Sequence, residues 1–145
     1  MVEFDKQEKR IMAILGTKKL DVTRATLKRY LKYLKRHVEF PCQLTGIEDF
    51  DWEESYVFGP GSQREYDQLR KTQPSFRDRY TLLALCRDAE SEWMLFPGED
   101  IAAQVRRLSD GKGFWLGLAE LKATDRKSQN YQLLDDYSVW FVNNR

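Results

Sequence analysis

The stretch IAAQVRRLSDGKGFWLGLAEL, residues 101–121, decides the reading of the fold. Two strand-like runs, 101–108 and 114–121, flank Ser109-Asp110-Gly111-Lys112-Gly113. An Asp-Gly pair accepts the positive φ angles that tight turns demand, so the spacing predicts a β-hairpin. Phe114, Leu116 and Leu118 share one face of the second strand, and Gly117 on the other allows a bend or a close approach.

Upstream of the hairpin, residues 93–96 read as a short extended piece stopped by Pro97-Gly98. Residues 87–92 read as a polar turn and residues 80–86 as an apolar strand. Residues 62–73 predict a short helix that follows the Gly59-Pro60-Gly61 turn and ends before Pro74. Residues 54–58 read as a strand and residues 49–52 as a loop. Residues 40–47 read as another strand, with Phe40, Cys42 and Leu44 alternating against Gln43 and Thr45.

The flanks have a helical pattern. Phe4, Ile11, Ile14 and Leu15 mark a helix over 3–15 that ends near Gly16. Asp21 or Thr23 caps the next helix, and Leu27, Tyr30, Leu31, Leu34 and Val38 follow at steps of three and four along one face. Phe40-Pro41 stops it, because proline disfavours helical geometry in the residue before it. Ser128 or Asn130 opens a last helix over 128–143, with Leu133, Leu134, Tyr137, Trp140 and Phe141 as its apolar stripe. Asp135 and Asp136 are expected to serve that helix's dipole. Short strands with Gly/Pro turns predict a small twisted barrel or a strongly curved sheet. Helices at both ends must bury their stripes against it, which gives the α+β class. Residues 1–145 are expected to form one domain: a helical segment 1–38, a barrel 39–121 with an inserted helix, and the helix 128–143.

The composition is that of a folded chain: 41% of the residues are hydrophobic, and 13% are aromatics, which bury large areas. No apolar run approaches the ~20 residues of a membrane span, and charges interrupt the N-terminus where a secretory signal needs an apolar core. The protein is therefore expected in the cytoplasm. Cys42 and Cys86 lie in apolar runs and read as free thiols. With His37 as the one histidine, a closed Cys/His zinc site lacks ligands, and His37 itself suits a helix C-terminus. Trp52, Trp93, Trp115 and Trp140 read as packing residues. There is no Gly-rich phosphate loop, Ser/His/Asp arrangement or HExxH motif, so an enzyme is not expected.

The net charge of +1 hides a strong asymmetry. Residues 1–38 hold eleven Lys/Arg against four Asp/Glu, a net of +7, while residues 39–58 carry six carboxylates and no basic residue. Glu48, Asp49, Asp51, Glu53 and Glu54 are hard oxygen donors of the kind calcium requires. They do not form an EF-hand: counting from Asp49, position 6 is Glu54 instead of glycine and position 12 is Pro60 instead of glutamate. A non-EF cation cluster and a solvated loop, either free or paired with the basic helix, both remain open. On that helix Arg24, Lys28, Lys32, Lys35 and Arg36, with Tyr33 near them, are either a surface for nucleic acid or a protein partner or a solvated outer face.

Three features carry a family resemblance: the helix around Tyr30 to Leu34 leading into Phe40-Pro41-Cys42, the 114–121 strand followed by Lys122, and Asp136-Tyr137-x-x-Trp140-x-x-Asn143 near the end. In these the chain resembles the small calcium-binding proteins of the cyanobacterial CcbP type and their uncharacterised bacterial relatives. The resemblance implies a small five-stranded SH3-like β-barrel flanked by N-terminal helices and a C-terminal helix. It also implies a non-enzymatic bacterial protein that binds or responds to calcium through surface carboxylates. The alternative is an interaction module that uses the barrel and the basic helix to bind a protein or nucleic acid.

Overall fold

The computed structural model describes residues 4–145, which run α1 (Lys6–Leu15), α2 (Arg24–His37), β1 (Cys42–Gly46), α3 (Glu54–Val57), α4 (Gln63–Leu69), β2 (Arg79–Cys86), β3 (Ala102–Arg107), β4 (Gly113–Gly117), β5 (Leu121–Ala123) and α5 (Gln129–Asn143). Single 3-10 turns stand at Asp51–Glu53 and Leu118–Glu120. Each longer helix starts on a side-chain cap: Asp5, Thr23, Ser62 and Ser128 each accept a backbone N–H of the first turn. Gly16, at φ 68°, closes α1 as predicted. Position 3 of the helix expected over 3–15 lies outside the described residues.

The five strands form one antiparallel sheet in the order β4-β3-β2-β1-β5. The hairpin at 109–113 is present: Gly111 takes φ 76° and donates to the Arg107 carbonyl at 2.8 Å. Leu83 is an extra residue in β2 where the register against β3 shifts, and such a bulge increases local twist. The expected barrel is not closed. β4 and β5 are opposite edges of the sheet and do not pair. The reason lies in the run read as one strand over 114–121. It is broken at Leu118–Glu120, where Leu118 N–H turns back to the Ile101 carbonyl at 2.9 Å and the chain crosses to pair with β1. The segment after β2 covers part of the β4 edge instead, with Ser91 Oγ donating to the Trp115 carbonyl.

Two other expected strands are absent. In the 54–58 run, Glu54–Val57 form α3 and Phe58 caps it, so there is no strand. The Glu53 carboxylate takes the Phe50 N–H at 3.2 Å and so starts a helical turn, and Tyr56 then stacks on Tyr66 with ring centroids 5.6 Å apart. Local capping and aromatic packing outweigh strand propensity there. Residues 93–96 are not extended: residues 91–94 make a turn, with Met94 N–H donating to Ser91 O at 3.2 Å, and the chain bends at 95–96.

The core lies between the sheet and three helices. Leu44, Tyr80, Leu82, Val105, Leu116 and Leu121 come from the strands. Leu27, Tyr30 and Leu34 come from α2, and Leu134, Tyr137, Trp140 and Phe141 from α5. Tyr30 stacks on Trp140 at 4.8 Å and meets Tyr137 edge-on at 5.2 Å, and the Trp140 indole donates to the Leu20 carbonyl at 2.7 Å. Asp136 does not serve the start of α5. It lies in mid-helix, buried, and accepts both arms of the Arg10 guanidinium at 2.8 and 2.9 Å, tying α1 to α5. Asp135 beside it accepts from Gln7 at 3.1 Å.

Candidate functional site

The acidic loop leaves β1 at Gly46 and passes through Phe50, whose buried ring anchors it to the core. This anchoring sorts the five candidate carboxylates by direction. Glu48, Asp51 and Glu54 are exposed, Asp49 is half-buried and Glu53 is buried. Among the described residues none of the four outward groups forms an ion pair, so of the two forms of the solvated-loop alternative the one paired with the basic helix is absent. No three His, Cys, Asp or Glu side chains among the described residues converge as a metal cage would require.

Glu53 is engaged elsewhere. One carboxylate oxygen accepts the Phe50 and Phe76 N–H groups at 3.2 and 2.8 Å; the other accepts the Tyr66 and Ser75 hydroxyls at 2.5 and 2.6 Å. All four donors belong to the protein, so the carboxylate is a buried fastener for α4 and the 74–78 turn. Burial, with the bond to Glu53 behind it, raises the Tyr66 hydroxyl above its ordinary range and keeps it a donor.

Two further carboxylates join this region. The free space beside Gly117 is occupied by Asp100 and Glu120: an oxygen of each lies 2.6 Å from where a Gly117 Cβ would stand. What Gly117 admits is the approach of two side-chain carboxylates, where its sequence position pointed to a bend or a close backbone approach. Asp100 is buried and accepts the Tyr137 hydroxyl at 2.6 Å and the Ala119 N–H at 3.0 Å. Glu120 accepts the Leu95 N–H at 3.1 Å. With Glu48 and Asp49, Glu120 borders a cavity of about 410 Å³ whose other walls are mostly apolar, apart from Ser138 and Asn143. The glycine was the sequence signal for this pair; nothing local marks Asp100 or Glu120 themselves.

Burial pushes Asp100 from its ordinary 3.8 up to about 7, against the pull of its hydrogen bonds from Tyr137 and Ala119. Burial also pushes Glu120 up to about 7, and repulsion from Asp100 and Asp51 adds to it. Both groups hold protons in the folded state at a pH where the unfolded chain has lost them. Their contribution is therefore full below about pH 4 and is lost as pH rises through about 7. The protein should be less stable at pH 8 than at pH 5.5, by on the order of 2–4 kcal/mol. Denaturant melts at the two pH values, on the wild type and on Asp100→Asn/Glu120→Gln, test this. The double variant should lose most of the difference, and an unchanged pH slope in it would refute the assignment.

The second set of candidates lies on α2. Arg24, Lys28, Lys32, Lys35 and Arg36 are exposed, away from the acidic loop in sequence and from the apolar stripe in space. Tyr33 is half-buried and packs at a tilt on His37 with centroids 4.1 Å apart, so its ring is already covered on one side. Cys42 and Cys86 are both free thiols, the first buried and the second half-buried; burial raises the Cys42 thiol. Among the described residues no helix is long and apolar enough to cross a membrane.

No protein-family model matches the chain, and no curated protein matches it. Among solved structures, the crystal structure of Anabaena CcbP matches with a TM-score of 0.55, covering 99% of this chain and 94% of that one at 15% sequence identity. The resemblance read from Tyr30 to Cys42, the 114–121 run and the terminal Asp136-Tyr137 motif therefore holds at the level of the fold. From its first helix to its last, this chain is similar in fold to Anabaena CcbP.

Proposed function

We propose that the chain is a non-enzymatic bacterial cytoplasmic protein that binds calcium weakly at its acidic loop, with Glu48, Asp49, Asp51 and Glu54 as the oxygen source. One observation carries this reading: four carboxylates crowd one loop, and among the described residues no Lys or Arg neutralises them. The resemblance to CcbP-type calcium-binding proteins directs the choice of ion. Glu53 is left out of the proposed ligand set, since its oxygens serve four internal donors. Without a preformed cage, affinity should fall in the weak range of open sites, with Kd on the order of 10⁻⁴–10⁻³ M. Calcium would supply charge neutralisation of the loop.

Titration of ¹⁵N-labelled protein with calcium should move the amides of residues 48–54 in a saturable way. Asp49→Asn/Asp51→Asn should weaken the response about tenfold or more. If no change localises to residues 48–54 at millimolar calcium, the reading is wrong. The alternative, a module binding nucleic acid or protein through α2, has less support because Tyr33, its stacking residue, is packed on His37.

A further inference from the structure

Among the described residues seven large hydrophobic side chains are exposed, and three of them, Ile47 at 38%, Leu95 at 46% and Val142 at 58%, border the same cavity beside Glu120. Single exposed apolar residues need no explanation, but a contiguous group around a cavity marks a binding surface. Phe96 and Ala119 continue the apolar wall. At about 410 Å³ the cavity falls within the usual range of ligand sites.

The charge around this cup has one sign. Glu48 and Asp49 carry it, while Glu120 borders the cavity as a half-buried group with one oxygen on the Leu95 N–H. No Lys or Arg borders the cavity. Polyanions and anionic membrane surfaces are repelled by such a rim. A bare metal ion uses the carboxylates but leaves the apolar walls uncovered. A partner that covers both must present an apolar side chain next to a positive charge. The wall formed by α5 is helical, and a helix laid against a groove offers apolar anchors on one face with basic residues flanking them.

We propose that this cavity docks a basic amphipathic segment of a partner protein, with an apolar side chain in the cup and Lys or Arg against Glu48 and Asp49. The proposal does not depend on calcium binding. Asp51 and Glu54 lie outside the cavity, and Val142 lies outside the acidic loop, so variants separate the two readings.

The test uses the ¹⁵N-labelled full chain, titrated with a synthetic amphipathic Leu/Lys peptide of about 14 residues and with its Leu/Glu counterpart. Saturable shifts are expected at Leu95, Val139 and Val142 with the Leu/Lys peptide, with the Leu/Glu peptide weaker by about tenfold or more. Val142→Lys and Glu48→Lys, both at exposed positions, should each reduce affinity about tenfold with thermal melting unchanged. Asp51→Asn/Glu54→Gln should leave peptide affinity within about twofold. Equal binding of the two peptides, shifts centred on another face, or unchanged affinity in Val142→Lys would overturn the proposal. So would concentration-dependent shifts at these residues without peptide, since a second copy of the chain would then be the occupant.

Discussion

Replacing Glu53 with alanine should destabilise the protein by about 3–5 kcal/mol, although Glu53 belongs to a run of carboxylates that looks uniform in sequence. The side chain is fully buried and gathers four donors: two backbone N–H groups and the hydroxyls of Tyr66 and Ser75. Alanine leaves all four unsatisfied where water does not reach them, and each orphaned group costs on the order of 1–3 kcal/mol before relaxation. Glutamine should cost less, about 1–2 kcal/mol, because its amide oxygen can serve the two N–H groups while the hydroxyls rotate to accept from its NH₂. Asp51→Asn and Glu54→Gln, at exposed positions, should stay within about 0.5 kcal/mol. Urea denaturation of the four variants reads these values directly. A Glu53→Ala cost no larger than that of Asp51→Asn would show that Glu53 is not the fastener described.

Replacement of Arg107 should have an effect of similar size. This guanidinium is 2% exposed and reaches three elements. It donates twice to Asp110 in the hairpin turn, at 3.0 and 2.7 Å, and to Asp78 at 3.0 Å. It also donates to the carbonyls of Arg70, Lys71 and Gln73 at 3.1, 3.0 and 2.9 Å. Those carbonyls follow the C-terminal end of α4, where helix carbonyls lack internal partners and attract a cation. Arg107→Ala should cost about 3–5 kcal/mol, since it leaves Asp78 without its buried partner and these carbonyls without donors. Arg107→Lys should recover only part of this, because an ammonium cannot span the forked geometry. The same bond from Arg107 lowers the Asp110 carboxyl to about 2. Stability from that pair is present above the ordinary carboxylate range and is lost as pH falls toward 2. Loss of Arg107 should therefore also remove part of the acid-side slope in pH-dependent melts, and an intact slope in Arg107→Ala would contradict the pairing.

Glu53 and Arg107 show why much of the candidate site was hidden in the sequence. Asp51 and Glu53 have the same chemistry and sit two residues apart, yet one faces water and the other the interior. The difference comes from Tyr66, Ser75 and Phe76, which are 13 to 23 residues away in the chain. Asp100 and Glu120 met beside Gly117 only because β3 and β4 pair and the chain then turns at Leu118–Glu120. The apolar cavity is assembled from the loop after β1, the 95–96 bend, the 3-10 turn and α5. No periodicity within one element can announce such a meeting of segments.

Features governed by neighbours a few residues apart were legible. Asp110-Gly111 forms its turn because the backbone there needs positive φ, and Thr23 and Ser128 start their helices because their side chains bond N–H groups three residues on. The stripes Leu27–Tyr30–Leu34 and Leu133–Leu134–Tyr137–Trp140–Phe141 follow from helical spacing and found the core as a face must. Choices that depend on distant partners were not legible. Residues 54–58 have the β-propensity of a strand, but Glu54–Val57 fold as a helix over Tyr66. The 114–121 run reads as one strand but breaks at Leu118–Glu120 so that its end can pair with β1. The sequence alone determined the hairpin, the longer helices and the acid-rich loop, because short-range geometry suffices for each. Only the tertiary structure decided that the sheet stays open and that Glu53 turns inward while its neighbours stay in solvent. Hydrogen-bond partners and burial are supplied there by residues far along the chain.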